Sequence, residues 1–98
     1  MIRDIKHWWQ RRTRGFDDSE IWSLDYTISA FVLPRLIRYR EVNKTYPQDM
    51  TMDQWNGIID QMIRYFNWEC NSVNSYALEN PHPDGLKLFC QYYKHLWW

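Results

Sequence analysis

The sequence predicts an all-α protein, a compact bundle of three to four helices in one domain, on three observations. Apolar residues recur at three- and four-residue steps over long stretches, which places them on one face of a helix. Two stretches open on helix-start signatures, Asp17 with Glu20 and Thr51 with Gln54, each a capping residue followed three positions later by an acidic or amide side chain that reaches back. Proline and glycine fall between these stretches, and no segment alternates apolar and polar as a half-buried strand does.

Residues 2–12 read as a short amphipathic helix. Ile2, Ile5, Trp8 and Trp9 lie along one side, and Arg3, Lys6 and Arg12 fall largely elsewhere. A basic helix with tryptophan on its apolar face can lie on a membrane surface, but one short segment binds lipid weakly, so docking on the rest of the domain is expected. Arg14-Gly15-Phe16 ends it, with Gly15 supplying the backbone freedom of a helix stop.

A long central helix is expected over 17–45. Ile21, Leu24, Ile28, Phe31, Val32, Leu36 and Tyr39 form its first apolar line, and Trp22, Tyr26, Leu33 and Ile37 run beside it. This arc is wider than one neighbour covers, which implies burial against two partners. Pro34 removes one backbone hydrogen bond and clashes near the Ala30 carbonyl, so a kink is expected there; two shorter helices meeting at Pro34 are the alternative.

Residues 43–49 connect to the next helix, with Pro47 barring continuation. That helix is expected over 52–77, with Trp55, Ile58, Ile59, Met62, Ile63, Phe66, Cys70 and Val73 inward. Met50 is placed to staple onto Trp55, and Gly57 to admit a close neighbour. Asn80-Pro81-His82-Pro83 breaks the chain. A last helix is expected over 83–97, with Leu86, Phe89, Tyr93, Leu96 and Trp97 inward.

Composition narrows the function classes. Twelve basic residues balance twelve acidic ones, so no global field draws the chain to nucleic acid or an anionic membrane. Residues 1–15 nevertheless carry five basic side chains against Asp4 alone. Seven Trp, seven Tyr and four Phe in 98 residues supply stiff surfaces for a core, a subunit contact or a planar ligand. Cys70 and Cys90 have no metal-type spacing and read as reduced thiols. With no apolar run of membrane-spanning length and no signal-peptide core, a soluble cytoplasmic protein is expected.

No catalytic pattern emerges. His7, His82 and His95 are scattered, Ser19, Ser23 and Ser29 lack a glycine-rich elbow, and there is no phosphate-binding glycine motif; no metal, cofactor or enzymatic activity is expected. Asp25 is the most informative polar residue, because it falls on the apolar face between Leu24 and Ile28. An ion pair with Arg14, Arg64 or a neighbouring subunit is its expected role, and orientation of a ligand the alternative. Arg35 and Arg38 share a face with Tyr39 beside them, a grouping that can hold a phosphate and a base, or simply be a solvated face countered by Glu41. Trp97-Trp98 closes the chain on two indoles, which, with the over-wide central helix, implies a homo-oligomer.

The order Arg14-Gly15-Phe16, Asp18, Trp22-Ser23-Leu24-Asp25-Tyr26 and Pro34-Arg35-Leu36, followed by Tyr46-Pro47, Trp55, Ile58-Ile59, Met62-Ile63, Gly85-Leu86, Phe89, Tyr92-Tyr93 and Leu96-Trp97, resembles a group of small tailed-phage and prophage accessory proteins with no established activity. The resemblance implies a protein acting in the bacterial cytoplasm by occupancy. The expected function is therefore stoichiometric binding, either sequestration of a nucleotide immune signal or inhibition of a host defence protein. The candidate contacts are Trp8, Trp9, Arg12, Arg14, Trp22, Asp25, Tyr26, Arg35, Arg38 and Tyr39. The alternative is a nucleic-acid-binding accessory protein using the basic, tryptophan-bearing N-terminal helix.

Overall fold

A computed structural model describes residues 2–72 and 78–97 of the chain. It is a helical bundle with four α-helices and, among the described residues, no strand: α1 (Ile2–Arg14), α2 (Leu24–Val42), α3 (Met52–Asn71) and α4 (Pro83–Gln91). Short 3-10 turns at Asp18–Ile21 and Tyr93–His95 precede α2 and follow α4.

The core is the inner stripe of α3. Trp55, Ile59, Met62 and Phe66 recur at four- and three-residue spacing and are almost wholly buried, joined by Leu36 from α2. The expected capping box starts this helix: the Thr51 hydroxyl accepts from the Gln54 N–H at 3.1 Å and the Gln54 side chain accepts from the Thr51 N–H at 2.9 Å. Met50 packs against the cluster that contains Trp55, as a staple does. The Trp55 indole N–H finds no acceptor among the described residues, a cost of about 1–3 kcal/mol set against the area its ring buries. Residues 73–77, including Val73, and the terminal Trp98 lie outside the described residues.

α2 is continuous through Pro34, but it starts at Leu24 rather than at residue 17. The capping box of Asp17 and Glu20 forms as read, yet it caps one 3-10 turn, and the chain restarts at Ser23. The buried face of α2 also differs from expectation. Its most covered residues are Ser29, Leu36 and Asn43, seven apart, with Val32, Leu33 and Tyr39 packed against the core. Leu24, Ile28 and Phe31 are 50–59% exposed, so the line counted as inward is open over the first half of the helix. The side turned toward α3 carries the small Ser29 instead. Arg40 and Asp60 tie the two helices at 3.0 Å.

α4 packs on α3 through Gly85. A Cβ at that position would run into the Gln61 carbonyl oxygen and lie 2.6 Å from Tyr65 Cβ, so only glycine permits this approach. Gly57, expected to play that part, has nothing within 4 Å of its missing side chain. α4 also ends earlier than position 97. The chain bends at Tyr92 into the second 3-10 turn, so Leu88, Phe89, Tyr92 and Leu96 face the core while Leu86, Tyr93 and Trp97 are exposed.

α1 does not dock on the bundle. Among the described elements its backbone approaches the Asp18–Ile21 turn alone, with a further ring contact at 5.5 Å between His7 and Trp22. The physical reason is a polar clamp at its C-terminal end. Gly15, at φ 84°, turns the chain back, and Asp17, fully buried, accepts from the Ser19 N–H at 2.9 Å, the Ser19 hydroxyl, and Arg11 at 2.6 Å. Asp18 accepts from Gln10 at 2.6 Å and from Arg14, with Lys6 at 3.6 Å. This clamp fixes the helix against the turn and leaves Ile5, Trp8 and Trp9 at least half exposed. The radius of gyration is accordingly 16.1 Å, against about 13 Å for a globular chain of this length, and the principal extents are 52 × 31 × 20 Å.

Two outcomes follow from these contacts. Gly85→Ala should destabilise the chain by about 1–3 kcal/mol in urea unfolding through overpacking of backbone. Gly57→Ala, in open space within a helix, should stabilise it by roughly 1 kcal/mol. The clamp should also be acid-sensitive. Hydrogen bonds from Ser19 to Asp17, and from Gln10 and Arg14 to Asp18, hold both carboxyls below the ordinary 3.8. Their contribution is complete above that value and is lost as pH falls through the lowered ones. Circular dichroism should therefore show the signal of the 13-residue α1 lost at lower pH values than 3.8, before α3 unfolds.

Candidate functional site

The candidate contacts fall on two surfaces, a groove beside the second half of α2 and an arm built from α1 and the first half of α2. The groove forms because three segments meet. After Pro34, α2 runs along α3. Gly85 lets α4 lie close against α3. The bend at Tyr92 then returns the C-terminal segment to α2, where the Tyr39 hydroxyl is 3.3 Å from the carbonyls of both His95 and Trp97, and the Thr45 hydroxyl 3.1 Å from that of Trp97. The result is an open cavity of about 700 Å³ walled by Phe31, Leu36, Phe89, Tyr93, Leu96 and Trp97. Arg35, Arg38 and Tyr39 stand in the same wall.

The two guanidiniums are held lightly. Arg35 lies over the Phe31 ring at 3.7 Å and donates to the Phe31 carbonyl at 3.0 Å. Arg38 meets Glu41 at 3.1 Å, with its side chain 71% exposed. A solvent-exposed pair of this kind contributes about 0–1 kcal/mol, so an anion in the groove can replace Glu41 at little cost. The groove lining contains no His, Cys, Asp or Glu.

On the arm, Trp8 and Trp9 pack edge to face at 5.0 Å and remain about half exposed, with the Arg12 guanidinium 5.6 Å from the Trp8 ring. Arg14 is engaged three ways: with Asp18, with the Phe16 carbonyl at 3.2 Å, and over the Phe16 ring at 4.4 Å. Trp22 and Tyr26 are 58% and 53% exposed. The basic excess of residues 1–15 is thus largely spoken for, because Lys6, Arg11 and Arg14 all pair with the aspartates just beyond it.

Asp25 corrects an expectation. It is exposed rather than embedded in an apolar face, and it pairs with neither Arg14 nor Arg64. The cause is the same as for Leu24 and Ile28: this half of α2 extends past the surface that would have buried it. The charge of Asp25 is felt at Tyr65, whose hydroxyl pKa is raised first by burial, then by Glu69 and Asp25.

Elsewhere the titratable groups are dispersed. Among the described residues no group of three or more His, Cys, Asp or Glu is placed to hold a metal ion. No described helix is long and apolar enough to cross a membrane. Cys70 and Cys90 are free thiols, and burial followed by the charge of Glu69 pushes the Cys70 thiol pKa up.

Sequence reasoning brought Arg35, Arg38 and Tyr39 together and placed Phe89 and Leu96 against the core, where they pack, but it also assigned Tyr93 and Trp97 inward, and these are exposed. Periodicity carried them inward because a helix was assumed to run on to 97. The bend at Tyr92, which turns them into a wall, left no local signature apart from the density of aromatics at the chain end.

Tyr39→Phe should detach that wall from α2, lowering stability by about 0.5–1.5 kcal/mol and selectively raising amide exchange at Leu96 and Trp97.

Compared with known proteins, the chain matches no family model, no curated protein and no solved structure.

Proposed function

We propose that the chain works by occupancy rather than catalysis, sequestering a small planar anion of the nucleotide class in the groove between α2 and the C-terminal segment. The observation that carries this reading is the composition of that groove. Phe31, Tyr39, Phe89, Tyr93 and Trp97 supply ring faces, and Arg35 and Arg38 supply forked donors beside them. Stacking a base on such rings contributes about 1–3 kcal/mol each, and a guanidinium matches phosphate geometry. The volume lies within the roughly 300–1,000 Å³ range of small-molecule sites.

The resemblance to tailed-phage accessory proteins points the same way. In a bacterial host, a nucleotide immune signal is a cargo that such a groove suits, and a host defence protein is the other target class. A second reading, nucleic acid on the basic N-terminal helix, has the exposed Trp8 and Trp9 in its favour. It is weakened by the pairing of Lys6, Arg11 and Arg14 within the chain, because phosphate contacts need free cations.

Titration calorimetry with a panel of linear and cyclic nucleotides tests the proposal. Binding of at least one member is expected, weakened roughly tenfold or more by Arg38→Ala and by Trp97→Ala. No heat with any nucleotide would remove the small-ligand reading and leave a protein target.

A further inference from the structure

Between Ile5 and Phe31 the chain leaves ten large apolar side chains 42–59% exposed, while the rest of the described chain leaves six. They are concentrated on the arm, where α1, among the described residues, meets the turn before α2 and Trp22. We infer that the arm is a self-association surface, and that its occupant is the arm of a second copy of this chain.

Three observations select that occupant. The first is area. Side chains such as Trp8, Trp9, Ile21, Trp22, Ile28 and Phe31 each leave on the order of 100 Å² uncovered, so the ten together expose roughly 1,000 Å² per chain. The largest apolar patch of a typical monomer is about 300–600 Å². Covering most of this area on each of two arms buries about 1,200–2,000 Å², the size of a specific dimer interface.

The second is the isolation of α1. A 13-residue helix is marginal in water on its own, and its contacts, from Lys6 and His7 to Arg14, all run to the turn before α2 and to Trp22, leaving Ile5, Trp8 and Trp9 at least half exposed. Its apolar side must be covered for the helix to persist, and the bundle does not reach it.

The third is charge. Lys6, Arg11 and Arg14 pair with Asp17 and Asp18 on the same arm, residues 1–31 hold five basic and five acidic side chains, and the whole chain carries no net charge. Two arms therefore meet without mutual repulsion, whereas an anionic membrane or nucleic acid finds few unpaired cations. A twofold arrangement, arm against arm, closes on itself and needs no third component. This inference is independent of what fills the groove.

Sedimentation equilibrium on the full chain at micromolar concentration is the test. A mass of twice 12.3 kDa is expected. The double substitution Leu24→Glu with Ile28→Glu, at positions exposed within one chain, should keep the helical circular-dichroism signal of α2–α4 and weaken association roughly a hundredfold or more. Tyr93→Glu, exposed but off the arm, should leave the dimer intact. A wild-type chain that sediments as a monomer overturns the inference. So does a dimer that survives the double substitution, or one that Tyr93→Glu dissociates.

Discussion

Everything in this fold is referred to one stripe on α3. Trp55, Ile59, Met62 and Phe66 are shielded from water almost completely, and both other bundle helices are positioned by what they lay over it. α2 contributes Leu36 at the centre, flanked by the small Ser29 and the polar Asn43 one heptad away on either side. α4 contributes Phe89, whose ring meets Phe66 edge to face at 5.0 Å, and Gly85, which sets how near its backbone comes. Tyr92 closes the stripe at the other end, 5.5 Å from Trp55. Aromatic pairs in this geometry add about 0.5–1.5 kcal/mol each beyond the area they bury.

Among the described residues, the buried positions of α2 begin at Ser29. The first half, the turn and α1 therefore project beyond the bundle, which accounts for the long axis of 52 Å. The N-terminal arm is held together by charge-assisted hydrogen bonds rather than by a core. Asp17 is buried but fully engaged, so its charge is compensated instead of stranded. A joint of this kind fixes direction without covering hydrocarbon, and the apolar side chains of the arm stay exposed within one chain.

The groove has a different origin. It exists because α4 stops at Gln91 and the backbone turns, so that rings which would have continued along a helix instead face α2 across a gap. Tyr39 and Thr45 hold that segment through the carbonyls of His95 and Trp97, linking the wall to the helix that carries Arg35 and Arg38. Groove lining and structural support thus share one helix, and Tyr39 belongs to both. Phe31 joins the two surfaces, standing in the groove wall and on the exposed arm.

The sequence by itself determined the helical class, the capping boxes at Asp17 and Thr51, the glycine stop at Gly15 and the inner face of α3, because each depends on local geometry or on a strong 3.6-residue period. It also put Arg35, Arg38 and Tyr39 on one surface. Only the tertiary structure decided that Leu24, Ile28 and Asp25 are exposed, that Gly85 rather than Gly57 admits a neighbour, and that the final aromatics form a wall. The apolar residues of α2 are spread around the helix, so its pattern does not single out a buried side; packing against α3 made that choice, and it buries Ser29 and Leu36.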